Sequence, residues 1–422
     1  MSKIAVESLG CKLNQAETES LAWQLFGKGY QLTDSAGEAD IYVLNTCTVT
    51  HVADRKARHL LRSARRANPQ ALIVAVGCYA QRAPEELRQL GVVDLILGNK
   101  EKDRLAKTLA GRSNPANEGR EQPATSYQGH TRSLIKIQEG CNSFCSFCVV
   151  PYTRGRERSR PWEEVLHAVM ERVDTGYKEM ILTGSKIGSY RWNGESHSGL
   201  PRLIGNILEE TNIERLRLSS LQPRDLTPEL IGLWADDRLC PHLHLPLQSG
   251  SQATLRQMGR GYSIAEYEGA VYRVRQAIPD LAITTDVIVG FPGEGEKEFE
   301  ESYRFCERMG FAKIHVFPYS ARCGTAAATL PDQVEERAKK DRSQQMLALA
   351  GESARRFRER FLGRTMTVLW GNKLSQGTWS GLTANYIRVF TQNEQDLTNR
   401  LLKVRLVAEH AQGLVGELAP GG

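Results

Sequence analysis

The sequence predicts an α/β chain in three parts: an N-terminal doubly wound parallel sheet, a central (β/α)6 partial barrel and a C-terminal small antiparallel β-barrel. Three observations carry this. Over the first hundred residues short β-branched apolar runs alternate with helical stretches, the pattern of parallel strands joined by crossover helices. A second alternating series with six strand candidates follows a polar break rich in Gly, Pro, Ser and Asn. After one long charged helix the pattern changes to short strands interrupted by Gly, Asn and Gln.

Taken in order, strands are expected at Lys3–Ser8, Asp40–Leu44, Leu72–Val76 and Val92–Leu97, with helices starting near Gln15, Ala53 and Pro84. Ligand sites in such sheets lie at the carboxyl ends of the strands. A cysteine stands at three of those ends: Cys11 in SLGCKLN, Cys47 in VLNTCTVT and Cys78 in VAVGCYAQ. The first unit is assigned to residues 1–112, a linker to 113–130, the second unit to 127–357 and the last to 360–420. Within the second unit, strands are expected at Leu134–Gln138, Met180–Leu182, Arg215–Ser219, His242–Leu247, Ile283–Val289 and Lys313–Phe317. A helix from about Gln333 to Leu362 precedes strands at Thr365–Trp370, Thr378–Leu382, Tyr386–Phe390 and Leu401–Ala408.

At 422 residues, with 41% hydrophobic and 25% charged residues, the chain has material for several cores, and rods or wholesale disorder are excluded. The balance of 55 basic against 49 acidic residues, +6, permits a polyanionic partner without requiring one. The opening MSKIAVESLG carries no cleavable apolar leader and no run reaches 18 apolar residues, so a cytoplasmic protein without a membrane span is expected. In that compartment nine cysteines point to metal binding, catalysis or burial rather than to disulfides.

The sharpest signal is Cys141-Asn-Ser-Phe-Cys145-Ser-Phe-Cys148, three thiols within one loop after the first strand of the second unit. Structural zinc prefers four ligands in two separated pairs, and no adjacent fourth ligand is found, His130 being the nearest histidine. Three thiolates suit a cubane iron–sulfur cluster with one iron left open; zinc or incidental burial is the alternative. Cys11, Cys47 and Cys78, at equivalent topological positions, read as a second three-thiolate site. Cys240, Cys306 and Cys323 form no spaced group.

The CxxxCxxC spacing resembles the signature of the radical S-adenosylmethionine (SAM) enzymes. That resemblance implies that SAM chelates the open iron and is cleaved reductively to give a radical. It implies also that Phe147 packs near the adenine, that Thr183 and Gly184 lie beside the methionine moiety, and that Ser219 and Ser220 meet the ribose. The serines serve equally well as caps of a helix or turn.

Over essentially the whole chain the segments GCKLNQAETE, VLNTCTVTHVADRKAR, GCNSFCSFCVVPYTRGRERSR, HLPLQSGSQATLRQMGRGY, TTDVIVGFPGE and GLTANYIRV resemble the methylthiotransferases. This implies two [4Fe-4S] clusters, an auxiliary one on Cys11, Cys47 and Cys78 that supplies or carries sulfur, and a radical-generating one on Cys141, Cys145 and Cys148. Within the family TCTVTHVADRKAR looks like the enzymes acting on N6-threonylcarbamoyladenosine of transfer RNA. Enzymes acting on isopentenyladenosine are the runner-up, and Ser249 in LPLQSGS argues against the ribosomal-protein branch. A non-catalytic RNA-binding protein with structural metal is the alternative from another class. Gly295, Cys323 and Ala326 depart from the usual family pattern, which bears on local turns.

The implied partners are a tRNA anticodon stem-loop and a low-potential electron donor such as flavodoxin or ferredoxin, with the chain expected as a monomer. Candidate phosphate contacts are Arg55, Arg58, Arg62 and Arg65 at helical spacing, Arg154 and Arg156 in RGRERSR, and Arg388 in the last unit. That unit resembles the RNA-binding TRAM barrel. Its aromatics Trp370, Trp379 and Tyr386 are either exposed to RNA or core.

Overall fold

The structure, a computed structural model, describes residues 2–110, 131–193, 199–375 and 377–419. The expected linker at 113–130, with His130, lies outside them. Five parallel strands form the N-terminal sheet, β1 (Lys3–Ser8), β2 (Gln31–Leu32), β3 (Ile41–Thr46), β4 (Leu72–Gly77) and β5 (Leu95–Leu97), in the order β2-β1-β3-β4-β5. All six residues of β3 are buried, as a central strand covered on both faces requires. The two-residue β2 is too short to leave a periodic signal and was not expected. Helix α1 (Lys12–Phe26) begins earlier than expected, with Cys11 as its N-cap. Helix α2 (His51–Ala67) opens on a Thr50 side chain that accepts from the Ala53 N–H, and α3 (Cys78–Arg82) starts at Cys78 itself.

The second unit holds the expected six parallel strands. They are β6 (Arg132–Lys136), followed by the short antiparallel pair β7 (Gln138–Glu139) and β8 (Arg158–Ser159), then β9 (Glu179–Thr183), β10 (Arg215–Leu218), β11 (His242–His244), β12 (Ala282–Val289) and β13 (Lys313–Pro318). Two three-stranded sheets, β10-β9-β6 and β11-β12-β13, are joined by bridges Leu216↔Leu239 and Ser220↔His244 into one open arc. Alternation along the strands sorts the side chains. Met180, Leu182, Leu216, Leu218, Leu243, Ile283, Val287 and Ile314 pack outward beneath the helices. Their neighbours Glu179, Arg217, His244, Asp286 and His315 therefore line the lumen. Each fully buried large apolar residue of the outer core contributes about 1.5–3 kcal/mol.

The helix Glu336–Glu359 leads to a closed barrel of β14 (Thr365–Ser375), β15 (Thr378–Thr383), β16 (Arg388–Gln392), β17 (Leu401–His410) and β18 (Gly413–Leu418), in the order β14-β15-β16-β18-β17. Its pairs are antiparallel except β16 with β18, which closes the barrel in parallel. Tyr386, expected in a strand, stands instead in the turn before β16 at φ +70°, where its N–H bonds the Thr383 carbonyl. This barrel caps the amino-terminal end of the arc. Arg215 donates to the Thr367 and Leu382 carbonyls at 2.7 and 2.9 Å, and Arg217 to the Ala384 carbonyl at 2.8 Å. Among the described residues no helix is long and apolar enough to cross a membrane.

Candidate functional site: two cysteine triads at one barrel

Cys11, Cys47 and Cys78 come together at the carboxyl edge of the N-terminal sheet, each within electrostatic reach of the other two. Backbone geometry makes this possible. Gly10 and Gly77 precede Cys11 and Cys78 at φ +107° and +95°, where side chains are disfavoured. A Cβ on Gly10 would lie 2.5 Å from Cys47 Cβ, and one on Gly77 2.3 Å from Asn45 Oδ1. Two buried side chains tie the loops. Asn14 donates to the Leu9 and Thr46 carbonyls at 2.8 and 3.1 Å. The Thr46 hydroxyl donates to the Val76 carbonyl at 2.6 Å and accepts from the Tyr79 and Ala80 N–H groups. Neither residue was singled out from sequence, although each lies within three residues of a cysteine in CKLN and NTC.

The second triad sits on the loop between β7 and β8. Gly140, at φ +74°, lets the chain pass against the Arg156 carbonyl, 2.0 Å from where a Cβ would stand. The Ser143 N–H points at Cys141 Sγ at 3.3 Å, and Arg260 donates to Cys145 Sγ at 3.5 Å. Burial pushes the thiols of Cys148 and, in the first triad, Cys47 up to about 12. A bound cation would have to displace those protons. Donors aimed at the sulfurs and an arginine beside them suit thiolate ligands. Among the described residues no three His, Cys, Asp or Glu side chains converge tightly enough for a single ion; a multi-iron cluster spans more than one ion.

The two triads are linked. Asn99 donates to Cys78 Sγ at 3.4 Å and to the Thr153 carbonyl at 2.9 Å, five residues beyond Cys148. Arg154 was expected at RNA, and the structure corrects this. Its guanidinium is buried against Glu17 at 2.8 and 3.0 Å and Asn14 Oδ1 at 2.5 Å, within electrostatic reach of Cys78 and Cys11. The reason is Glu17, a buried carboxylate that also pairs with Lys102 at 2.6 Å and Lys136 at 3.5 Å. Burial works against the charge of Glu17, but Arg154 and Lys102 hold it well below the ordinary carboxylate range.

Around the second triad, Phe147 meets Phe291 edge-on at 6.5 Å, and Phe291 meets Tyr319 at 5.4 Å. Thr183 ends β9, buried, and Gly184 brings the chain to the Gln138 carbonyl, 2.7 Å from where a Cβ would stand. The hydroxyls of Ser185 and Ser219 are buried without a partner at the ends of neighbouring strands. Orphaned polar groups of this kind suit a polar cofactor beside the cluster loop. Ser220 forms the bridge to His244.

The arginines divide. Arg55 and Arg62 are exposed on α2, and Arg58 is half-buried with a 2.8 Å bond to the Tyr79 hydroxyl. Arg65, also expected at RNA, is committed elsewhere: it donates to the Pro69 and Ala71 carbonyls and pairs with Asp94 at 2.5 Å. Arg156 is exposed over the Phe144 ring at 4.8 Å, and Arg388 is exposed on the small barrel. Trp370 and Trp379 are core, so that barrel offers neither ring to RNA. Cys240 and Cys306 are buried and Cys323 is exposed, on a segment whose Arg322 donates to the Thr48 hydroxyl at 2.8 Å, one residue beyond Cys47.

Comparison with known proteins agrees with this architecture. Residues 3–98 match the family described as uncharacterized protein family UPF0004, and residues 135–306 match the radical SAM superfamily. The threonylcarbamoyladenosine tRNA methylthiotransferase MtaB of Bacillus subtilis is 36% identical over 96% of this chain and 94% of its own length. MtaB of Aquifex aeolicus is 38% identical over 95% and 99%. A tRNA-2-methylthio-N(6)-dimethylallyladenosine synthase of Syntrophotalea carbinolica is 34% identical over 99% and 100%. Among solved structures, the radical SAM methyltransferase TsrM of Kitasatospora setae, with cobalamin and a [4Fe-4S] cluster bound, shares the fold with a TM-score of 0.56 at 16% identity, covering 78% of this chain and 77% of that one. Identity at this level over nearly the full length, together with a cysteine triad at each of the two expected places, means that the chain belongs to the radical SAM methylthiotransferases.

Proposed function

We propose that this enzyme replaces the C2 hydrogen of N6-threonylcarbamoyladenosine, beside the tRNA anticodon, with a methylthio group. The observation that carries the reading is Asn99, whose amide bonds both Cys78 Sγ and the Thr153 carbonyl and so joins the two cysteine loops at one barrel. Methylthiolation needs such proximity, because the carbon that is activated is the carbon that receives sulfur. The near full-length identity to two MtaB proteins supports the threonylcarbamoyl branch.

Cys141, Cys145 and Cys148 would hold the [4Fe-4S] cluster that binds SAM, and Cys11, Cys47 and Cys78 a second one that carries sulfur. Bound there, these groups supply one-electron chemistry and a methylthio donor. The chain's own residues position the reactants. Asn14 and Thr46 fix the first triad, Phe147 and Gly184 shape the wall beside the second, and Ser185 and Ser219 offer unpartnered hydroxyls just beyond β9 and β10. Paired bases hide C2, so the adenosine has to be splayed from its loop, which the exposed Arg55, Arg62 and Arg156 would assist through phosphates. Arg388 would do the same from the TRAM-like barrel. A low-potential electron donor in the cytoplasm completes the scheme.

Nucleoside mass spectrometry of tRNA from a deletion strain, with and without the restored gene, tests the substrate. Loss of methylthiolated threonylcarbamoyladenosine supports the reading, and loss of the isopentenyl product instead refutes it. With reconstituted protein, Cys141→Ala should abolish SAM cleavage, whereas Cys47→Ala should spare cleavage and stop sulfur transfer.

A further inference from the structure

The lumen of the barrel is cationic at one end, where Lys12, the residue after Cys11, has no ion-pair partner among the described residues. Lys12 follows Cys11 directly as the first residue of α1. Its side chain enters the space between α1, the strands β6 and β9 and the small barrel, a cavity of about 580 Å³ that Arg132, Arg388 and Tyr386 also line, together with the carboxyl groups of Glu7, Glu19 and Asp34. Among the described residues Lys12 has no carboxylate at ion-pair distance. Nζ lies 5.5 Å from the centre of the Tyr386 ring, over which Arg132 and Arg217 also stand at 5.7 and 4.3 Å. The acid in electrostatic reach, Glu179, is already engaged by both arms of Arg217 at 2.9 and 3.1 Å.

With Arg217 and Glu179 offsetting each other, the charge near Tyr386 left without a counter-charge is that of Lys12 and Arg132, and His242 stacks on the ring at 4.7 Å. Tyr386 itself reads that field. Burial would raise its phenol, yet the surrounding cations bring it below the ordinary tyrosine value. At the Tyr386 ring, where Lys12, Arg132 and Arg217 lower the phenol and Glu179 is the acid that raises it, the field favours an anion.

The threonylcarbamoyl group carries a carboxylate at the far end of a short urea link from the adenine, while an isopentenyl group is neutral and apolar. We infer that Lys12, aided by Arg132, binds the threonine carboxylate of the substrate and so decides which N6 substituent the enzyme accepts. This rests on the function proposed above and adds the residue that selects the substrate. Lys12 directly follows Cys11 in the chain, so a carboxylate held there would be bound by the same segment that carries a ligand of the sulfur-carrying triad.

The test uses anaerobically reconstituted full-length enzyme and a fluorescent anticodon stem-loop carrying either N6-threonylcarbamoyladenosine or its threonine methyl ester. Binding is read by anisotropy. Loss of a hydrogen bond to a charged group corresponds to roughly a tenfold to hundredfold change in Kd, so wild-type enzyme should prefer the acid by about that factor. Lys12→Gln should remove the preference by weakening the acid alone, and Lys12→Arg should keep part of it. Arg132→Gln, which leaves the residue beside Cys11 untouched, should lower the same preference by a smaller factor.

Equal weakening of acid and ester by Lys12→Gln would mean a phosphate contact or a structural role and would overturn the inference, as would no weakening of either. Wild-type enzyme that methylthiolates the acid substrate without distinguishing it from the ester overturns the Lys12 assignment alone. Enzyme that leaves threonylcarbamoyladenosine unmodified overturns the substrate reading, and this inference with it.

Discussion

Replacing Glu17 by Gln removes the carboxylate shared by Arg154 at 2.8 Å and Lys102 at 2.6 Å, whose side chains are 3% and 2% exposed. Two buried cations then lose their counter-charge at once. Breaking a buried pair from one side costs about 3–5 kcal/mol, and because Lys102 can shed its proton the lower half of that range is expected. Arg154→Met is the asymmetric control. It leaves Glu17 still paired with Lys102, so the loss is that of hydrogen bonds to a charged group, about 1.5–3 kcal/mol. Urea titration of the cluster-free chain, followed by circular dichroism and tryptophan fluorescence, should therefore rank Glu17→Gln as the more damaging change. The pH dependence has a definite sign. Because the folded-state pKa of Glu17 lies below its unfolded value of about 4.5, its contribution is complete above that pH and is lost as the solution is acidified toward the lower folded value. The gap between wild type and Glu17→Gln should shrink accordingly in acid. A loss under about 1 kcal/mol, the size of a solvated surface pair, or a larger loss for Arg154→Met, would refute the reasoning.

Gly77→Ala forces a side chain into φ +95° and a Cβ to 2.3 Å from Asn45 Oδ1; it should cost about 1–3 kcal/mol and lower the iron taken up by the first triad, measured by colorimetric iron assay on reconstituted protein. Glu19 is raised to about 7, chiefly by burial, so the folded chain keeps a proton that the unfolded chain releases near 4.5. Stability should fall as pH rises through that window, and Glu19→Gln should flatten the slope in denaturant midpoints taken from pH 4.5 to 7.5. Arg55→Ala and Arg62→Ala should each reduce the salt dependence of tRNA binding by about 0.7–0.9 in the log–log slope, with unchanged melting. Arg65→Ala should instead lower the melting temperature and leave that slope alone, since its partners are Asp94 and two backbone carbonyls.

Much of this architecture is local in origin and was legible in the residues themselves. Parallel strands announce themselves through β-branched runs at short range, and all six strands of the partial barrel stand where the apolar pattern put them, with ends adjusted by a few residues. Chemistry packed into one loop was equally visible, as Cys141, Cys145 and Cys148 show. Topology extended that reach to Cys11, Cys47 and Cys78, because equivalent strand ends of one sheet lie side by side. Positions such as β2 and the turn at Tyr386 were not visible, since two residues make no period and a left-handed tyrosine depends on its hydrogen-bonded surroundings.

Pairing across long separations belongs to the tertiary structure. Arg154 looked like one member of an exposed basic run and became the buried partner of Glu17, 137 residues away, because a desolvated carboxylate at the interface demands a cation and the chain after Cys148 delivers one. Arg65 was withdrawn from the basic stripe in the same way by Asp94. Lys12 moved in the opposite direction: an ordinary lysine in GCKLN became an unpaired cation facing the lumen. The sequence by itself determined which elements form and which thiols gather, because periodicity and loop geometry act over a few residues. Which charges are neutralised and which stay free for a substrate was decided only by the fold, because electrostatic fate depends on neighbours that the chain brings together from far apart.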